Sequence, residues 1–173
     1  MEPSTYSIRK SFLLPLGLVV LLSFILLVSA ILLQLPLAKI LILAGFLLPV
    51  CIIFAESSLR KVYVTEDAIK INKLFRSKHL NYAEVTAIDT IQVRKRAFIS
   101  LSSENDFMIL SNSYSHFGIL LQQLVDKVPT GVVSDETRQL AKTPPKKCSD
   151  VFSAWLAVAV LTLIIYVQLR GVF

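Results

Sequence analysis

Two clusters of basic residues are the groups in this sequence whose types and spacing are best suited to chemistry, and that chemistry is anion binding. Lysine and arginine carry the positive charge and the multiple hydrogen-bond donors that phosphates and carboxylates require. The candidate contact residues are Lys73, Arg76 and Lys78 in the first cluster and Arg94, Lys95 and Arg96 in the second. The sequence leaves three interpretations open: contact with lipid headgroups, contact with a partner protein, or a charged face that solvent covers.

The sequence contains no arrangement of residues typical of a catalytic or metal site. Its two histidines, His79 and His116, are far apart, and each is expected to be a surface or capping residue. Cys51 lies in an apolar run and Cys148 beside basic residues, so their spacing predicts neither a zinc site nor a disulfide framework. Neither a glycine-rich phosphate loop nor a nucleophile motif occurs. We therefore predict a chain that is not an enzyme and that has no cofactor, metal or small-molecule substrate.

The basic clusters lie in a mixed segment that is enclosed by strongly apolar ones. Residues 11–33, 37–55 and 151–169 contain Lys39 as their single charged side chain. As helices they would be about 28–34 Å long, enough to cross the roughly 30 Å hydrocarbon core of a bilayer. Hydrophobic residues make up 54% of the 173 residues, and their concentration in these segments predicts an integral membrane protein with three spans.

The first apolar segment also has features of a cleavable signal peptide. Arg9 and Lys10 precede it, and Val28-Ser29-Ala30 resembles a cleavage site. Its apolar region is longer than the usual roughly 7–15 residues of a signal peptide, so we expect a retained helix.

Residues 56–129 have the pattern of a small α+β domain. Short runs alternate between apolar and polar residues, as in Val62 to Val64 and Ile69 to Ile71, and polar turns separate them. An amphipathic helix should follow, with Asn112 or Ser113 as its N-cap and Pro129 at its end. Its apolar stripe consists of Phe117, Leu120, Leu121, Leu124 and Val128. These features predict an antiparallel half-barrel of six or seven strands that a C-terminal helix caps.

The stretch from Val62 to Ile71, followed by Leu80 to Ile88, resembles the bacterial pleckstrin-homology (PH-like) domains of small membrane proteins. Those domains carry a strand–Thr-Glu-Glu/Asp-Gly–strand hairpin and a corner that contains an acidic residue before the next strand. The corresponding hairpin here is Thr65-Glu66-Asp67-Ala68, with alanine where the family often has glycine. The resemblance implies a PH-like fold that presents a strand edge or groove to a peptide. In PH domains that bind phosphoinositides, a lysine and a later basic pair line the first loops, a pattern that Lys73, Arg76 and Lys78 approximate.

The distribution of basic residues predicts the orientation of the spans. One set of flanking segments carries Arg9, Lys10, Arg60, Lys61, Lys70, Lys73, Arg138, Lys142, Lys146 and Lys147, against Lys39 and Arg170 on the other. By the positive-inside rule, the first set lies in the cytoplasm of a bacterial cell. The predicted organisation is a cytoplasmic tail (1–10), a transmembrane hairpin (11–55), a cytoplasmic PH-like domain (56–129), a linker (130–150), a third span (151–169) and an external tail (170–173). The same rule accounts for the net charge of +6, so we predict no nucleic-acid partner.

These expectations favour a multi-pass protein of the bacterial inner membrane that acts as a non-catalytic accessory or scaffold subunit. Its partner would be a larger membrane protein or further copies of itself. The alternative is a lipid-responsive module whose basic loops contact anionic headgroups. A transporter component is a further alternative, which the absence of ionisable residues in the middle of the spans disfavours.

Overall fold

The computed structural model describes residues 4–93, 96–104, 106–143 and 149–170, and they form two compact units. One unit comprises Met1–Arg9 and Leu59–Cys148, and the other comprises Lys10–Ser58 and Ser149–Phe173. The described residues contain five α-helices. They are α1 (Lys10–Leu32), α2 (Leu37–Leu59), α3 (Phe117–Lys127), α4 (Asp135–Lys142) and α5 (Ser149–Arg170).

The three long helices α1, α2 and α5 are long and apolar enough to cross a membrane, as the sequence predicts. Helix α1 ends at Leu32, and Gln34 adopts the left-handed conformation (φ 50°) that lets the chain reverse. Pro36 then precedes α2, and its carbonyl accepts the Lys39 amide at 2.9 Å in the first turn of that helix. Helices α1 and α5 pack together, and the Gln168 side-chain amide donates to Ser29 Oγ at 3.0 Å.

The other unit contains two antiparallel sheets, in agreement with the predicted mixture of strands and helices. The first has the order β1 (Ser4–Ser7), β2 (Lys61–Val64), β3 (Ala68–Asn72), β4 (Ser77–Asn81). The second has the order β5 (Val85–Val93), β6 (Arg96–Ser103), β7 (Phe107–Ser111). A short 3-10 turn at Tyr82–Glu84 forms the expected corner between the two sheets.

The N-terminal segment is not the tail that the sequence predicts, because four of its residues form strand β1. Tyr6 lies opposite Val62 of β2, and both Tyr6 and Ile8 are buried. The Tyr6 hydroxyl donates to Gln123 Oε1 on α3 at 2.8 Å. Burial of these two side chains and pairing with β2 therefore order a segment that is too short and too polar to show a strand pattern.

Helix α3 buries the predicted apolar stripe, but its start differs from the prediction. Phe117, Leu120, Leu121 and Leu124 are all at most 2% exposed. The helix begins at Phe117 with His116 at the N-cap position, in a left-handed conformation (φ 52°). Asn112 does not cap it, because the Asn112 amide donates to the Ala97 carbonyl and continues the ladder between β7 and β6.

The segment expected to be a linker contains helix α4. The Ser134 hydroxyl accepts the Thr137 amide at the start of this helix, and Asp135 and Glu136 occupy its first turn, where acidic residues are favourable. Thr137 is fully buried, and its hydroxyl lies 2.7 Å from that of Thr90 on β5. These polar contacts hold α4 against the second sheet.

Candidate binding cleft

A cleft of about 340 Å³ lies between the edge strands β4 and β7 of the two sheets. Four basic side chains, three large apolar side chains and two aromatic rings contribute to its walls. The lining residues are Arg60, Ile71, Lys73, Arg76, Lys78, Phe98, Phe107, Met108, Ile109 and Ser111. None of these lining residues is acidic, so the lining of the cleft carries a net positive charge.

The hairpin of β3 and β4 positions three of the four basic residues. The Lys73 amide donates to the Arg76 carbonyl at 2.8 Å, which closes the turn and places both side chains at its base. Lys78 lies opposite Ile71 in the β3–β4 pairing, so the two residues share one face of the sheet. Phe75, at the tip of the turn, is 87% exposed.

Lys78 links the two edge strands. Its Nζ donates to Asp106 Oδ1 at 2.5 Å and to the Phe107 carbonyl at 2.9 Å. Asp106 Oδ1 also accepts the Phe107 amide at 2.8 Å. The hydrogen bond from Lys78, and then that from the Phe107 amide, lower the pKa of the Asp106 carboxyl below its ordinary value. Asp106 therefore shows how a carboxylate binds at one end of the cleft.

Arg60 contributes the fourth basic side chain from the residue before β2. Its guanidinium carbon lies 5.7 Å from the centroid of the Tyr114 ring, within the range of a cation–π interaction. Its Nε atom is buried and has no hydrogen-bond partner among the described residues. A buried donor without a partner costs free energy, so an anion that accepted this hydrogen bond would be stabilised.

The outer face of the second sheet continues the cleft with exposed apolar side chains. Ile91 pairs directly with Phe98, and Val93 and Ile109 lie on the same face by the two-residue alternation of strands. Ile91 is 60% exposed, Val93 57% and Ile109 47%. We call this surface, together with Phe107, the apolar face.

The structure brings Lys73, Arg76 and Lys78 together as one site. Arg96 is exposed at the start of β6, opposite Val93, and does not line the cleft. The predicted contacts Arg94 and Lys95 lie outside the described residues. His79 and His116 are both exposed, as expected of surface residues.

Sequence reasoning missed Arg60 as a member of the site. It is 13 positions before Lys73, and only the pairing of β2 with β3 and β4 brings it to the cleft. Because Arg60 follows a predicted span, its charge is explained by the positive-inside rule, and nothing in the sequence indicates that it also lines the cleft. Among the described residues, no group of three or more His, Cys, Asp or Glu side chains is placed to hold a metal.

Comparison of the chain with protein-family models, with curated proteins and with solved structures found no match. The residues of the cleft and the apolar face are therefore the basis on which a function is inferred.

Proposed function

We propose that this chain is a non-catalytic accessory or scaffold subunit of a membrane protein complex. Three helices anchor it in a bacterial inner membrane, and the unit with the two sheets contacts the partner protein. The arrangement of strands followed by a C-terminal helix supports the resemblance to PH-like domains, in which a strand edge or groove contacts a peptide.

The exposure of the apolar face is the main evidence for this proposal. Ile91, Val93, Phe107 and Ile109 are each between 47% and 60% exposed. Soluble domains rarely expose a contiguous apolar patch without a binding role, and a polar or charged rim is typical of an interface. Here the rim is the electropositive cleft.

The first sheet supports the proposed orientation. Strand β1 precedes α1, and strand β2 follows α2, yet the two strands pair in one sheet. The start of α1 and the end of α2 must therefore be on the same side of any membrane that both helices cross. The positive-inside rule then favours the cytoplasm for the sheets and the external side for the end of α5.

Site-specific photocrosslinking in intact membranes tests the proposal. A benzoylphenylalanine residue would replace Ile91 on the apolar face, and the control would replace Ile119, which is 51% exposed on helix α3. We expect one discrete adduct from position 91 and none from position 119. Equal adducts from both positions, or none from either, would count against a partner on the apolar face.

Binding of anionic lipid headgroups is a second candidate function, and the β3–β4 turn favours it. Exposed Phe75 lies between Lys73 and Arg76, and such a pairing of an aromatic ring with cations suits the interface of an anionic membrane. Each cation near such a surface contributes about 1 kcal/mol. Purified protein should then retain anionic lipid, and the double substitution R60A/R76A should remove it. Lys70→Ala is the control, because Lys70 is exposed and does not line the cleft.

A further inference from the structure

We infer that the cleft binds an extended acidic peptide segment of the partner, which adds a strand to the edge of β7. The inference rests on the proposed function, because it names the chemistry by which the accessory subunit would recognise its partner. It joins three observations: an unpaired strand edge, basic side chains beside it and apolar side chains that alternate along it.

The hydrogen bonds of β7 show which of its backbone groups point into the cleft. The Asn112 amide donates to the Ala97 carbonyl of β6. By the two-residue alternation, the backbone amides and carbonyls of Leu110 and Met108 also point toward β6. The Phe107 amide and carbonyl instead bond to Asp106 and Lys78. The backbone groups of Ile109 and Ser111 share the direction of those of Phe107, so they point away from β6.

β7 is the last strand of its sheet, so among the described residues no further strand of that sheet satisfies these outward groups. Ile109 and Ser111 both line the cleft, which places their backbone donors and acceptors at its wall. Because Asp106 and Lys78 already bond the outward groups of Phe107, the open part of the edge runs from Met108 to Ser111 and is about 10 Å long at roughly 3.3 Å per residue. That length suits about four residues of an added strand.

The side chains around this edge select the sequence of the added strand. Lys73, Arg76 and Arg60 supply positive charge on the wall opposite β7. Asp106, which already accepts hydrogen bonds from Lys78 and from the Phe107 amide, shows the binding mode expected of the carboxylates of the peptide. Ile109 and Phe107 offer apolar contacts to every second residue of the peptide. A segment that alternates acidic and aliphatic residues fits both walls.

Fluorescence polarisation with the full chain in detergent tests this inference. The probe is a short labelled peptide of alternating valine and glutamate, compared with one of alternating valine and lysine and with a backbone N-methylated form of the first. We expect the glutamate peptide to bind and the lysine peptide not to bind. N-methylation should weaken binding roughly tenfold, because it removes two or more main-chain hydrogen bonds.

Two protein variants, each with a matched control, separate the edge from the charge. Ile109→Pro removes an outward amide without breaking the ladder to β6, whereas Ile109→Val keeps that amide. Arg76→Glu reverses a charge in the cleft, whereas Lys70→Glu reverses one outside it. Ile109→Pro and Arg76→Glu should each weaken peptide binding roughly tenfold, and their controls should change it less than about twofold. Thermal unfolding of each variant shows that it is folded.

Any of three results would overturn strand addition. The first is that the N-methylated peptide binds as tightly as the unmodified glutamate peptide. The second is that the glutamate peptide does not bind at about 1 mM. The third is that Arg76→Glu removes bound anionic lipid and has no other effect. A partner complex that forms normally with both Ile109→Pro and Arg76→Glu would also overturn it, but would leave the accessory-subunit proposal intact. Failure of photocrosslinking at Ile91 would instead count against the proposed function itself.

Discussion

Substitution of Tyr6 tests whether the N-terminal strand is an integral part of the first sheet. Tyr6 is 6% exposed, and its hydroxyl donates to Gln123 on α3 at 2.8 Å. Tyr6→Ala removes a buried aromatic ring, which typically costs 3–5 kcal/mol, and the edge position of β1 favours about 3 kcal/mol. Tyr6→Phe removes only the hydrogen bond and should cost about 1 kcal/mol.

Hydrogen-exchange mass spectrometry measures this loss in the sheet itself, without requiring the whole membrane protein to unfold in one step. A loss of about 3 kcal/mol corresponds to a decrease of more than about 100-fold in the protection of amides in β2. Tyr6→Phe should decrease that protection by only about fivefold. Tyr63→Phe on β2 is the control, since Tyr63 is half-buried and its hydroxyl has no hydrogen-bond partner among the described residues.

An unchanged protection of β2 in Tyr6→Ala would refute the reasoning. It would mean that β1 contributes nothing to the sheet and that residues 4–7 behave as the tail that the sequence predicts. The pairing of β1 with β2 would then no longer require the start of α1 and the end of α2 to lie on the same side of the membrane.

Three further substitutions probe other contacts. The Tyr82 hydroxyl is buried without a hydrogen-bond partner among the described residues, and burial raises the pKa of Tyr82 from 10.0 to about 12. The free energy of unfolding should therefore fall as pH rises from 10 to about 12, because the folded state holds the proton more tightly. Tyr82→Phe should reduce this fall in denaturation curves, leaving the part due to Tyr6, whose pKa burial also raises, and should stabilise the protein by up to about 1 kcal/mol. Thr137→Val should cost about 1–3 kcal/mol, since it leaves the partners of a buried hydroxyl unsatisfied, and limited proteolysis should then cut at α4; a resistant α4 would contradict this. A methyl group at Gly17 would lie 3.2 Å from the Phe54 ring, so Gly17→Leu should lower the unfolding temperature of the helical unit in detergent, whereas Gly45→Leu, where space is open, should not.

The sequence predicts the elements whose pattern is set by their own residues. Helix α3 shows this best, because its apolar stripe has the period of a helix and the stripe residues Phe117, Leu120, Leu121 and Leu124 are all buried. The alternation around Val62 and Ile71 likewise predicts β2 and β3, because one face of each strand is buried. The three long apolar helices follow from length and composition.

The elements that the sequence does not reveal depend on distant contacts. Strand β1 is ordered by β2 and α3, whose residues lie more than 50 positions away, and a four-residue polar strand carries no periodic signal. Helix α4 does carry a local signal, since Ser134 is followed by Asp135 and Glu136, but its polar composition resembles that of a linker. Three of the four cations of the cleft, Lys73, Arg76 and Lys78, lie within six residues of one another and could be predicted as a cluster. Arg60 lies beside them only because of the strand order.

Native mass determination of the tagged chain, purified from membranes in a gentle detergent, tests the central claim most directly. If the protein is an accessory subunit, we expect a defined stoichiometric complex with a larger membrane protein. Less of that complex should form when Ile91 or Ile109 on the apolar face is replaced by aspartate. A lone species of 19.3 kDa, or a simple homo-oligomer that carries anionic lipid, would contradict the accessory-subunit account. That result would favour the lipid-responsive module.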